Sequence, residues 1–202
     1  MSHLFLVRHG ETIWHAENRY AGSTDIALTS KGEQQALILR DWALNARLTH
    51  LYASTMRRAI ATATPAALAT GLPLCTDARL REISFGRGEG LTSAEMKAQF
   101  PAEHAAFLRD PATYFLPGGE PPAEAVQRAR TALNEIGDEA GPEARVLVVA
   151  HNTLIRLLLC DLLGIPLARY RELFPRLNNT ALTEIELTHE SASLLSFNVP
   201  LQ

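Results

Sequence analysis

One run of six residues, Arg145-Val146-Leu147-Val148-Val149-Ala150, limits the possible folds more than any other stretch of the chain. It is too short for a spanning helix and too continuously apolar for a strand with one wet face. Such a strand is buried on both faces, which places it centrally in a parallel sheet covered by helices. Leu4-Phe5-Leu6-Val7 repeats the pattern near the amino end, and Leu51-Tyr52-Ala53-Ser54 gives a shorter version.

Helical stripes separate these strands. Ala36, Leu39, Ala43 and Ala46 follow a Thr29-Ser30 start, and Ala59, Thr62, Ala63 and Ala66 form a small-residue face that Gly71 closes. Val126, Ala129, Leu133 and Ile136 make a third stripe. Leu154 to Leu163 is apolar nearly all round and ends at Gly164, so it reads as an interior helix. Strand-then-helix order predicts an α/β fold: a doubly wound, mostly parallel sheet with flanking helices. Leu72 to Cys75 is expected as a short strand and Thr12 to Leu28 as a long loop. Thr180–Leu187 and Ala192–Phe197 are expected as a terminal hairpin across His189-Glu190-Ser191, with one strand antiparallel.

With 202 residues the chain fits a single domain, 1–202, carrying one insertion at about 84–122. There Thr92-Ser93-Ala94-Glu95 is a capping-box pattern. Prolines 101, 111, 117, 121 and 122 alternate with Phe100, Phe107, Tyr114 and Phe115, which suggests a cap over the carboxyl ends of the strands. The formal charge of −3 and the lack of a basic run argue against nucleic acid as a partner. No apolar stretch is long enough for a bilayer and Met1-Ser2-His3 enters the first strand at once, so a soluble, cytoplasmic protein without a membrane partner is expected. Cys75 and Cys160, far apart, read as reduced core cysteines. Neither a Walker loop nor an H-E-x-x-H pattern is found, and no metal or cofactor is expected. The oligomeric state is left open, a homodimer included.

In doubly wound sheets the site lies at the carboxyl ends of the strands. Three such ends deliver a cation or an imidazole: Arg8-His9-Gly10 after the first, Arg57-Arg58 after the second, and His151 after the central one. Arginine forks pair bidentately with phosphate oxygens, an imidazole can attack phosphorus, and cations on the equatorial oxygens stabilise phosphoryl transfer.

At these residues the sequence resembles the histidine phosphatase superfamily, which includes cofactor-dependent phosphoglycerate mutases and many small-molecule phosphatases. The resemblance is carried by Arg8-His9-Gly10-Glu11-Thr12, Trp14, Arg19, Gly22, Asp25, Leu28-Thr29 and Gly32. It continues through Ser54, Arg58-Ala59, Thr62-Ala63, Leu80, Glu82, Gly86, Glu89-Gly90, Pro117-Gly118-Gly119-Glu120, Arg128, Val149-Ala150-His151 and Ile155-Arg156. It implies His9 as nucleophile, Arg8, Arg58 and His151 as a phosphate pocket, and Glu82 as general acid and base; Glu11 is left outside the catalytic set. It also implies His15, Ala21, Gly22 and Asn152 beside the substrate. Two positions depart from the family pattern: His15 stands where Asn is usual, with a charge expected to vary near neutral pH, and Asn152 stands where Gly is usual. Between Ile83 and Ala125 lie Arg87, Lys97 and Arg109 against Glu89, Glu95, Glu103, Asp110, Glu120 and Glu124. Such an insertion is expected to repel a polyanion. Hydrolysis of a small phosphomonoester is therefore placed ahead of a mutase reaction, and both ahead of phospholigand binding without turnover.

Overall fold

The computed structural model describes residues 1–188 and 191–201. The chain runs β1 (Ser2–Arg8), α1 (Ile13–Ala16), α2 (Ser30–Asn45), β2 (His50–Ser54), α3 (Arg57–Thr70) and β3 (Leu74–Asp77). It continues through α4 (Ser93–Gln99), α5 (Pro101–Arg109), α6 (Pro122–Ala140), β4 (Arg145–Ala150), α7 (Asn152–Leu162), α8 (Tyr170–Leu173), β5 (Leu182–Leu187) and β6 (Ala192–Val199).

The strands form one sheet in the order β3-β2-β4-β1-β5-β6. β4 lies between β1 and β2, parallel to both, with Leu6 opposite Val148 and Tyr52 opposite Val148 on the other side. Alternation along the central strands then feeds two cores. Leu4, Leu6, Val146 and Val148 join Val126, Leu133, Leu154 and Leu158 of α6 and α7. Phe5, Val7, Leu147 and Val149 join Leu39, Ala43, Ala59 and Ala63 of α2 and α3. Each fully buried valine or leucine removes enough apolar surface to stabilise the fold by about 1.5–3 kcal/mol. The continuity of the β4 sequence follows, because neither of its faces meets water. β5 alone runs against the other five strands, so it pairs antiparallel with both β1 and β6.

Several expectations shift. The stretch after β1 is not wholly loop: it contains α1, a single turn too short to show a helical period, and is tied down by bridges Thr12 to Leu28 and Tyr20 to Glu89. β3 begins two residues later than expected, and Cys75 is exposed rather than in the core. β3 lies at the edge of the sheet and none of its residues is fully buried, so apolar patterning does not mark it. Cys160 is buried, and both thiols are free. The tip of the β5–β6 hairpin at 189–190 lies outside the described residues.

In the proline-rich segment the capping box forms as written, with Glu95 N–H donating to Thr92 Oγ1 at 3.2 Å and Thr92 N–H to Glu95 Oε2 at 2.7 Å. Pro101 and Pro122 occupy first-turn positions of α5 and α6, where the missing N–H costs nothing. Phe85, Met96, Phe100, Phe107 and Leu116 share the core of α6 and α7, so this segment packs down onto the sheet. Among the described residues no helix is long and apolar enough to cross a membrane.

Candidate active site

The strand ends bring the expected residues together. His9 leaves β1 almost fully buried, and its Nδ1 lies 2.7 Å from the Gly10 carbonyl oxygen. A carbonyl only accepts, so Nδ1 carries the proton and Nε2 keeps its lone pair. Arg58 Nε donates to that Nε2 at 3.2 Å. Asn179 Nδ2 donates to the His9 carbonyl at 2.8 Å from the loop before β5. Thr62 Oγ1 accepts the Gly10 N–H at 2.9 Å, from one turn along α3.

Arg58 is buried because the small-residue face of α3 carries it against the sheet. Its Nη2 donates to the Gly22 carbonyl at 2.7 Å and its Nη1 to the Thr24 carbonyl at 2.8 Å. Arg57, its sequence neighbour, has a side chain 91% exposed and does not enter the site. Arg8 Nη1 donates to the Leu177 carbonyl at 2.7 Å, and Nη2 lies 2.8 Å from His15 Nε2. Burial, with Arg156 and Arg58 nearby, pushes the Arg8 guanidinium down to about 10.

His151 caps the junction of β4 and α7, its ring centroid 5.1 Å from that of His9. Among the described residues neither of its ring nitrogens has a hydrogen-bond partner, and Arg8 Nε has none either. A neutral His151 carries one N–H, so that group and the Arg8 Nε–H are two buried donors left without protein partners beside His9, costly unless an anion takes them up. Desolvation first, then His151 and the arginines for His9 and the arginines alone for His151, holds both well below the ordinary imidazole range.

His15 is the one departure whose expected behaviour is overturned. Its ring stacks on His9 at 5.3 Å. Arg8 Nη2 donates to Nε2 at 2.8 Å, and on the opposite edge of the ring Nδ1 meets the Thr12 N–H at 3.2 Å and the Thr12 hydroxyl at 3.0 Å. Burial and the Arg8 charge push it down to about 3, so it is neutral, not variably charged, near pH 7. Asn152 and Ala21 line the cleft above these residues, whereas Gly22 turns its carbonyl to Arg58. A Cβ on Gly22 would meet the Ile83 carbonyl oxygen at 2.5 Å, so only glycine fits.

Glu82 reaches the amino terminus of α7. Its Oε1 accepts N–H groups of Leu154 at 2.9 Å and Ile83 at 3.0 Å, and its Oε2 accepts that of Thr153 at 2.9 Å. Those bonds and the helix dipole favour the ionised form, but desolvation outweighs them and raises its pKa above the usual carboxylate value. Glu11, by contrast, is held by Lys31 Nζ at 2.9 Å and Thr29 Oγ1 at 3.0 Å, away from the site.

A cleft of about 240 Å³ opens over these groups, its walls including Arg8, His15, Arg19, Glu82, Arg156 and Arg171. None of the six acidic residues counted between Ile83 and Ala125 lines it. Glu95 pairs with Arg19, Glu120 with Arg128, and Glu89 takes up the backbone and hydroxyls of Ser23 and Thr24. Formal charge along the segment therefore misrepresents the cleft, which is basic. Sequence reasoning also missed Glu89, whose carboxylate orders the loop that holds Arg58, and Arg171, which lies in a four-residue helix without a periodic signal. Among the described residues no group of three or more His, Cys, Asp or Glu side chains is placed to hold a metal ion.

A mixed α/β sheet that presents two neutral imidazoles, two buried arginines and a carboxylic group at its strand ends defines an α/β protein with an anion-accepting histidine site. The chain belongs to the histidine phosphatase superfamily (branch 1), which it matches over residues 4–200. It is 35% identical over 187 residues to a probable phosphoglycerate mutase, GpmB, of Erwinia tasmaniensis, covering 92% of this chain and 85% of that protein. Among solved structures it is similar to YhfR of Bacillus stearothermophilus, with a TM-score of 0.92, 32% identity, and 99% and 98% of the two chains covered. A mycobacterial glucosyl-3-phosphoglycerate phosphatase, in complex with VO3, superposes with a TM-score of 0.88 at 29% identity over 99% and 100% of the chains. The chain thus stands among phosphatases and mutases.

Proposed function

We propose that this chain is a metal-independent phosphomonoesterase that works through a phosphohistidine on His9. The observation that carries the reading is the fixed tautomer of His9: Nδ1–H is spent on the Gly10 carbonyl, which leaves a lone pair on Nε2 beside three buried nitrogens without protein partners. An arriving phosphate takes over the Arg58 Nε–H that now rests on Nε2, and Arg8, Arg58 and His151 donate to its equatorial oxygens. Nε2 attacks phosphorus, the P–O bond to the alcohol breaks, and Glu82 gives the leaving oxygen its proton. Glu82, now a carboxylate, takes a proton from water as that water attacks phosphorus; the N–P bond breaks and the lone pair returns to His9. The 84–122 segment serves as the cap.

The similar glucosyl-3-phosphoglycerate phosphatase supports hydrolysis of a small organic phosphate. A mutase reaction is the second reading, favoured by the name of the Erwinia tasmaniensis relative and by the basic cleft. Rapid-quench labelling from a hydrolysed substrate, in EDTA, tests the proposal. The expected result is an acid-labile, base-stable phosphoryl group on His9 that His9→Ala abolishes. Inactivation by EDTA with rescue by a divalent ion contradicts it, and efficient, bisphosphoglycerate-stimulated conversion of 3- to 2-phosphoglycerate selects the mutase reading.

A further inference from the structure

The carbonyl that fixes the His9 tautomer is itself held from behind. It belongs to the Gly10–Glu11 peptide, and the N–H of that same peptide donates to Gln35 Oε1 at 2.8 Å. A backbone N–H only donates, so the amide oxygen of Gln35 is the atom that faces it. Gln35 comes from α2, which reaches the turn because two glycines let the backbones close. A Cβ on Gly10 would meet the Gly32 carbonyl oxygen at 2.6 Å, and one on Gly32 would strike that of Glu11. At the start of the same helix the Thr29 N–H donates to the Glu11 carbonyl at 2.9 Å. The turn that carries the Gly10 carbonyl is thus docked on α2, with Gln35 directly behind it.

These bonds form a line: Gln35 Oε1, the Glu11 N–H, the Gly10 carbonyl and the His9 Nδ1–H. A peptide whose N–H is hydrogen-bonded carries more negative charge on its carbonyl oxygen, and bonds in such a chain strengthen one another by about 10–30%. In the empty site the Arg58 Nε–H rests on His9 Nε2 and helps keep its lone pair there. Once phosphate draws that N–H away, the Gly10 carbonyl is what holds the proton on Nδ1. The demand on it then rises, because the ring becomes cationic as Nε2 bonds to phosphorus and Nδ1–H becomes a stronger donor. The nearby carboxylate of Glu11 does not share this task, since it is turned to Lys31 and Thr29.

We propose that Gln35 is a positioning residue for the nucleophile: through the Gly10–Glu11 peptide it keeps His9 in the Nδ1–H tautomer and supports the positive charge its ring acquires in the transition state. The kinetic part rests on the phosphohistidine reading of His9. Gln35→Met keeps length and bulk but leaves the Glu11 N–H without an acceptor, whereas Gln35→Glu keeps the acceptor. Gln35 is half-buried on the helix surface, so both variants should fold. In substrate-free protein with isotope-labelled histidine, the NMR signal of the His9 Nδ1 proton is expected to move upfield in Gln35→Met and to return to or pass its native position in Gln35→Glu. Single-turnover quench is expected to show phosphohistidine formation slowed about 5- to 50-fold in Gln35→Met, the worth of one hydrogen bond that strengthens in the transition state. KM should change by less than about twofold, because ground-state binding is untouched. Gln35→Glu should recover the rate. A native rate in Gln35→Met, or equal slowing in both variants with an unmoved proton signal, overturns the proposal. If no ester is hydrolysed, the phosphohistidine reading fails and the proton signal alone decides. A shift in Gln35→Met that Gln35→Glu reverses then supports the role of Gln35, and an unchanged signal overturns it.

Discussion

Replacing Glu82 by glutamine separates what the carboxylate does for the fold from what it does for the reaction. In the folded protein it accepts three backbone N–H groups, two at Oε1 and one at Oε2. Glutamine has a single oxygen. If that oxygen keeps Leu154 and Ile83, the new NH₂ points at the Thr153 N–H, donor against donor, and one charge-assisted hydrogen bond worth about 1.5–3 kcal/mol is lost. Removing a desolvated charge returns part of this, since burial already opposes ionisation at this position. A net loss of about 1–2 kcal/mol follows, seen as a fall in thermal midpoint of about 2–8 °C for a chain of this length. The catalytic effect is larger and selective. Loss of the proton donor should slow phosphoryl transfer from alkyl phosphates by about 10²- to 10⁴-fold, and from p-nitrophenyl phosphate far less, because nitrophenolate leaves without protonation. Single-turnover quench isolates this first step from hydrolysis of the phosphohistidine, which the variant should also slow, so that label accumulates on His9. Equal slowing of the first step for both substrates, or no accumulation of label, refutes the acid–base role of Glu82.

Two further predictions come from the same geometry. Gly22→Ala forces a Cβ to within 2.5 Å of the Ile83 carbonyl, 2.6 Å of Glu89 Oε1 and 2.9 Å of Phe85 N, so the loop must move and release Arg58. A stability loss of about 1–3 kcal/mol by urea titration and a fall in kcat/KM are expected, and a variant with both unchanged shows that the loop does not position Arg58. Because burial holds His9, His15 and His151 neutral in the folded state while the unfolded chain protonates near 6.5, folding stability should fall as pH drops below about 6.5. The slope approaches about 1.4 kcal/mol per pH unit for each such histidine, Glu82 opposes it by at most one proton because its pKa is raised, and a flat urea midpoint from pH 7 to 5.5 excludes the neutral histidines.

The strands that build the site were legible because they are buried on both faces, and a run such as Val146 to Ala150 has no other stable placement. Arg8, His9, Arg58, Glu82 and His151 were legible only in combination, through the resemblance that fixes which polar residue follows which strand. What stayed hidden was contact made across the fold. Nothing in the spacing of Glu82 shows that it will meet the amino end of a helix more than sixty residues on. Glu89 and Glu95 count as negative charges in the chain, but their partners Ser23, Thr24 and Arg19 come from a different loop. His15 next to Arg8 looks like a titrating group until the direction of the Arg8–His15 hydrogen bond is seen.

The reversed direction of β5 matters to the site for a topological reason. Parallel strands β1, β2 and β4 bring only their carboxyl ends to the cleft, and each contributes one junction: His9, the turn into Arg58, and His151. A parallel strand in the place of β5 would close that edge with its own junction and following helix. Because β5 enters from the cleft side, the segment before it lies against β1 instead, and Asn179 and Thr180 bind the His9 and Arg8 carbonyls at 2.8 Å. Leu177, three residues before Thr180, accepts from Arg8 Nη1. The backbone on both sides of the Arg8–His9 peptide is thus fixed by the segment that leads into β5, which leaves Arg8 Nε without a partner among the described residues and His9 Nε2 holding only the Arg58 Nε–H.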